Sequence, residues 1–127
     1  MPEVEAVMQA NQGFYRAFQS LDIDQMVEVW VHAESVKCVH PGWPLIRGWD
    51  AIYGSWGRIF DNTTMMQFVI TETEVSLVGD WAWVTCVENL TSVVDGSVNQ
   101  GMVQATNIYN NQNGRWLLVH HHGSPSM

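Results

Sequence analysis

A chain of 127 residues with 46% hydrophobic and 14% charged residues can bury a core without disulfide staples and does not have the composition of a disordered segment. Five Lys and Arg stand against 13 Asp and Glu, giving a formal net charge of −8. With no basic cluster to displace counterions, nucleic acid and anionic membrane surfaces are excluded as partners. No apolar run reaches the roughly 18 residues of a spanning helix, and no secretory pattern opens the chain, so a cytoplasmic protein is expected. Cys38 and Cys86, the only cysteines, read as buried thiols of a reducing compartment.

Val4, Val7, Met8, Asn11, Phe14, Tyr15, Phe18 and Leu21 recur at spacings of three and four, which predicts a first helix of about five turns. Asp22 and Asp24 supply N-cap chemistry for a second helix, with Met26, Val27, Trp30 and Val31 as its apolar face. Ser35 to His40 is β-rich and stops at Pro41, and Pro41-Gly42-Trp43-Pro44 must be a loop. After Gly48, the residues Trp49, Ile52, Tyr53, Trp56, Ile59 and Phe60 predict a third helix. Four long strands then follow, over Met65–Val78, Trp81–Val94, Val98–Tyr109 and Trp116–His122. They are divided by Gly79-Asp80, Asp95-Gly96 and Asn110 to Gly114, and Asp-Gly between β-branched runs is a strong hairpin signal. The expectation is one α+β domain over residues 1–127, with three N-terminal helices packed on a curved antiparallel sheet.

Seven tryptophans are many for this length, and each buries on the order of 200 Å². Trp30, Trp43, Tyr53 and Trp56 lie on helices or the loop expected to rim one end of the domain, where they would line a cavity for a flat or apolar ligand. Helical aromatic stripes are equally explained as core, so Trp43, which sits in a loop, carries the most weight. His40 is the first candidate for chemistry, because an imidazole can take and return a proton near neutrality; alternatively it braces the Pro41-Gly42 turn. Tyr15 can donate its phenolic proton to a ligand carbonyl, or serve as a core tyrosine. His120 and His122 share a strand face, but zinc needs a third or fourth ligand and Glu88 is the one nearby candidate, so no metal is expected. A Cys38–His40 thiolate dyad lacks a visible orienting group. There is no nucleophile elbow, phosphate loop or dinucleotide fingerprint, and no cofactor is expected.

The order of elements resembles the nuclear transport factor 2-like superfamily, and within it the SnoaL-like branch that includes the ketosteroid isomerases. Phe14-Tyr15, Leu21-Asp22, Trp30, His40-Pro41-Gly42, Gly48 and the ending Gly114-Arg115-Trp116 through Val119-His120-His121-His122-Gly123-Ser124-Pro125 carry the likeness. That ending, with Thr106 and Tyr109, is also similar to the association domain of calcium/calmodulin-dependent protein kinases. The resemblance implies a cone-shaped domain whose pocket lies between helices and concave sheet, and a homodimer built through the outer sheet face. It places His40 at the general-base position and Tyr15 at the enolate-stabilising position. The third catalytic group, a protonated Asp on a late strand, would fall near Ala105 to Asn107, where this chain has no carboxylate. It further places Asn107, Tyr109, Leu117, Val119 and His121 toward the pocket, and Trp116, Leu118, His120 and His122 on the outer face. Two functions follow as expectations. One is a domain binding a small apolar organic ligand, acting as an isomerase-, dehydratase- or cyclase-type enzyme on a carbonyl compound. The other is a non-catalytic homo-oligomerisation or interaction module with a vestigial pocket.

Overall fold

The computed structural model describes residues 2–126. Helices α1 (Pro2–Ser20) and α2 (Ile23–Glu28) are followed by strands β1 (Lys37–Val39) and β2 (Ile46–Arg47), then helix α3 (Trp49–Asp61). Strands β3 (Thr63–Val78), β4 (Trp81–Val94), β5 (Ser97–Gln112) and β6 (Arg115–Pro125) complete the chain. One sheet runs in the order β2-β1-β6-β5-β4-β3, antiparallel throughout except for the β1–β6 pair. This is the expected α+β architecture, with a short extra strand, β2, hidden in the sequence because only two residues after Pro44 pair with β1.

The helices cover one face of the sheet. Val7, Asn11, Phe14, Tyr15 and Phe18 of α1 are buried, as their spacing requires. Helix α2 is shorter than its apolar pattern: Val29 closes it by donating to the Met26 carbonyl, and the chain goes extended. There the Val31 amide donates to Leu118 and the Leu118 amide to Val29, so Trp30 bridges β6 instead of lying on a helix. β-Branched Val29 and Val31 favour that outcome, since their χ1 freedom is restricted in a helix. The hairpins use tight turns with positive φ at Asp95 and Gly96 and at Asn113 and Gly114, which extends β5 to Gln112 and narrows the last loop to Asn113-Gly114.

Two β-bulges decide which side chains face the helices. In β3 the register slips between Thr71 and Glu74, so Ile70 pairs with inward Glu88 on one side of the slip and Val75 with inward Val84 on the other. In β6 it slips at Val119: Ile108 pairs with His120, but Tyr109 pairs with Leu118. One extra residue inverts the alternation beyond it. Trp116 and Leu118, expected on the outer face, are therefore 8% and 0% exposed within the core, while Leu117 turns away from it. Past the bulge, His121 points inward and His120 and His122 remain less buried on the other side. The open outer face carries Trp81 and Trp83, 49% and 41% exposed.

No helix among the described residues is long and apolar enough to cross a membrane. The bulge makes a direct prediction. Leu118→Ala removes a fully buried side chain and should cost about 3 kcal/mol, whereas Leu117→Ala should cost about 1 kcal/mol or less by chemical denaturation. Equal losses would mean that the alternation runs unbroken through Val119.

Candidate functional site

The inward face of the sheet brings four polar groups, Glu88, Asn107, Tyr109 and His121, against Asn11 and Tyr15 of α1. Tyr15, from α1, donates its phenolic proton to Glu88 Oε2 of β4 over 2.6 Å. Asn107 of β5 donates from Nδ2 to the Tyr15 oxygen at 3.2 Å and to Asn11 Oδ1 at 2.9 Å. Tyr109 donates to that same Asn11 oxygen at 2.8 Å. His121 Nδ1 lies 2.6 Å from Asn107 Oδ1. Because the Asn107 amide nitrogen is spent on Asn11 and Tyr15, its oxygen must accept here. His121 thus carries its proton on Nδ1 and its lone pair on Nε2. A hydrogen-bonded chain, Glu88–Tyr15–Asn107–His121, threads an otherwise apolar interior, with every member at most 4% exposed.

Across from His121, with ring centroids 6.4 Å apart, sits His40 at the end of β1. Ser55 of α3 donates its one proton to the Ile52 carbonyl at 2.7 Å, so its oxygen accepts from His40 Nε2 at 2.9 Å. This assigns the Nε2–H tautomer and leaves the His40 Nδ1 lone pair free, with the weakly donating Cys38 Sγ 3.9 Å away. Trp56 lies edge-on to His40 at 4.7 Å and Phe14 tilts against His121 at 5.0 Å, walling the space between the imidazoles. The buried indole Nε1 of Trp56 has no hydrogen-bond partner, which costs on the order of 1–3 kcal/mol for an unmade bond.

Electrostatics follow burial. Desolvation, helped by the Arg58 charge, pulls the His40 pKa down to about 4. His121 is pushed well below the usual imidazole value, first by burial and then by His40 and its flanking histidines. Glu88 is raised to about 7 because burial disfavours its charge more than the Tyr15 hydrogen bond favours it. Tyr15 is raised well above 10, by burial and then by Glu88 and Cys86. Cys38 is also raised by burial and Glu88, so its thiol stays protonated and the structure gives no support to a thiolate dyad.

Of the residues singled out from the sequence, His40, Tyr15, Trp56, Asn107, Tyr109 and His121 come together. Trp43 stands at the edge of the group, edge-on to His40 at 4.9 Å. Trp30 and Tyr53 do not join it. They cluster with Trp49 and His32 instead, and Tyr53 is 44% exposed. Glu88, Asn11 and Ser55 belong to the site but were not assigned to it from the sequence. Glu88 is a charged residue inside a β-branched run, an available signal; Ser55 carried none, being a small polar residue between helical aromatics. Glu88 is engaged by Tyr15 inside the domain while His120 and His122 lie on the other face, and among the described residues no three metal-ligand side chains converge. Tyr15, His40, Asn107 and His121 line none of the five most prominent surface depressions among the described residues.

Three helices packed on one face of a curved, mostly antiparallel sheet are the architecture of the nuclear transport factor 2-like class. That fold is shared with ketosteroid isomerase-like proteins and kinase association domains. The chain belongs to the SnoaL-like domain family, whose model matches residues 7–127. It is 37% identical to a candidate dehydratase of the NTF2-like family from Streptomyces avermitilis, with a TM-score of 0.92 over 99% of this chain and 97% of that one. A candidate calcium/calmodulin-dependent protein kinase type II association domain from Thiobacillus denitrificans is 26% identical, with a TM-score of 0.82 over 93% of each chain. F-box protein SKIP8 of Arabidopsis thaliana is 30% identical over 119 residues, 94% of this chain. The chain spans about half the length of that relative, 49%.

Glu88 makes stability depend on pH in a definite direction. Its folded pKa lies above the ordinary 4.5, so the stabilising, protonated form is complete below 4.5 and is lost as pH rises through about 7. Relative to the native protein, Glu88→Gln should therefore gain on the order of 2–3 kcal/mol between pH 5 and pH 8 in guanidinium unfolding. A difference that is flat with pH would show that Glu88 does not titrate in this range.

Proposed function

We propose that this domain binds a small, largely apolar carbonyl compound between His40 and the Tyr15–Glu88 pair and moves a proton on it, in the manner of a dehydratase. The observation that carries this reading is the Glu88–Tyr15–Asn107–His121 chain ending beside His40, whose Nδ1 has only the Cys38 thiol near it, inside an aromatic interior. The likeness to a candidate dehydratase over nearly the whole of both chains supports the reaction type. The substrate would be a β-hydroxy carbonyl compound. His40 Nδ1 takes the α-proton, and the electron pair moves into an enolate whose oxygen is held by Tyr15. The pair then forms the Cα–Cβ double bond as the Cβ–O bond breaks, and the imidazolium returns its proton to the leaving oxygen as water.

Protonation states set the working range. Above about pH 4 His40 is neutral and can act as base. Tyr15 is free to donate to a ligand only when Glu88 is protonated, because the carboxylate otherwise holds the phenolic proton. Turnover should rise through about 4 and fall through about 7. Half-buried Trp43 packs edge-on against buried His40, so on this reading a ligand enters by displacing the Pro41–Pro44 loop. The free, buried Cys38 and Cys86 fit a reducing, cytoplasmic setting.

The test follows α-proton exchange and water loss by NMR in a panel of β-hydroxy and simple carbonyl compounds. For any compound turned over, His40→Ala should lower the rate at least ~100-fold while the fold persists, and Glu88→Gln should remove the alkaline limb. Unchanged turnover in His40→Ala would dispose of the base assignment.

A second reading, assembly through the outer sheet face, is favoured by the exposed Trp81 and Trp83, which flank β-paired neighbours Ile108 and Val78. With Trp116 and Leu118 inside the core, the interface reading rests on these tryptophans instead, with His120 and His122 beside them. Trp83→Glu should convert a dimer to monomer in light scattering; a variant that stays dimeric refutes this surface.

A further inference from the structure

From the whole surface we infer that the groove between Trp43 and Arg58 is a binding site for a small apolar monocarboxylate, independent of whether His40 turns anything over. The groove holds about 350 Å³ and is lined by Trp43, Ile59, Met66 and Val94, with Arg58 on one wall and Asn62 at the rim. That volume is within the range of small-ligand pockets, and its walls are largely hydrocarbon and indole.

The charge at the groove is isolated. The Arg58 guanidinium carbon lies 5.5 Å from the Trp43 ring centroid, a cation–π arrangement that fixes it beside the apolar walls. Among the described residues the one ion pair within 4 Å joins Arg115 to Glu28. Arg58 therefore has no carboxylate partner at that range, although acidic residues outnumber basic ones 13 to 5 and Asp61 lies one helical turn away. An apolar body with a single carboxylate satisfies both halves of the site. Its hydrocarbon covers Ile59, Met66 and Val94, and its head accepts the paired guanidinium N–H groups. An amine of the same shape would meet Arg58 with like charge. Trp43 is shared between this groove and His40, so an occupant would also register at the buried histidine.

Calorimetric titration at pH 7.5 compares octanoate and 4-phenylbutyrate with octanamide and octylamine, on the whole chain and on Arg58→Gln and Met66→Glu. Circular dichroism confirms that both surface variants are folded. The acids should bind at least about tenfold more tightly than the amide, with no binding of the amine. Arg58→Gln should bring acid and amide to the same affinity, and Met66→Glu should abolish both. The better of the two acids distinguishes an alkyl from an aromatic body. In NMR spectra, His40 ring resonances should shift on binding even in the absence of turnover. Equal affinity for acid and amide, an Arg58→Gln variant that binds as before, or no binding of either acid to about 10 mM would overturn the proposal.

Discussion

The burial of Glu88 is the constraint on which the interior of this protein depends. A carboxyl group 2% exposed on the concave face of β4 must either stay protonated or find a donor. Tyr15 is the donor, and its own oxygen accepts in turn from Asn107. Asn107 then needs partners for its second N–H and its oxygen, and Asn11 and His121 answer those needs. The set draws on α1, β4, β5 and β6. Satisfying one acid therefore fixes the rotation of α1 against three strands and the tautomer of a histidine.

The bulges are what make that satisfaction geometrically available. A regular β6 with Trp116 and Leu118 inside would bring His120 to the inner face; the slip makes His121 the imidazole that meets Asn107 and leaves His120 and His122 outside. The extra residue at Val119 lets hydrophobic side chains face α1 at one end of the strand and an imidazole face the polar cluster at the other. The slip between Thr71 and Glu74 acts similarly in β3, bringing Ile70 opposite Glu88 while keeping Val75 and Leu77 inward beyond it.

Helices, hairpins and the order of elements were legible because their signals are local. The three-and-four spacing of α1, the β-branched runs and Asp95-Gly96 each speak for residues within one turn or one hairpin. The site was legible where a residue is unusual in its own element, as with Tyr15 and His40. It was not legible where meaning comes from a partner far along the chain. Glu88 stands out as a charge in a β-branched run, but what it does is not readable until Tyr15, 73 positions earlier, is placed against it. Bulges escape for the same reason. Nothing in Leu117-Leu118-Val119 marks which of three apolar residues is the extra one, and a parity argument carried across it misassigns Trp116 and Leu118. Trp30 and Tyr53 were drawn toward the site by aromatic type alone, whereas packing sends them to a separate group around Trp49.

The arrangement is poorly explained as packing for its own sake. A buried charge-capable network is commonly no more stable than an apolar core of the same volume, and a tryptophan whose N–H finds no acceptor is worse than a phenylalanine in the same place. Here the Trp56 indole N–H has no partner and His40 Nδ1 has only the Cys38 thiol, 3.9 Å away, while both rings pack against His121. The interior polar groups are held chiefly by one another, and the rings of Trp43 and Trp56, 4.9 and 4.7 Å from His40, wall them on that side.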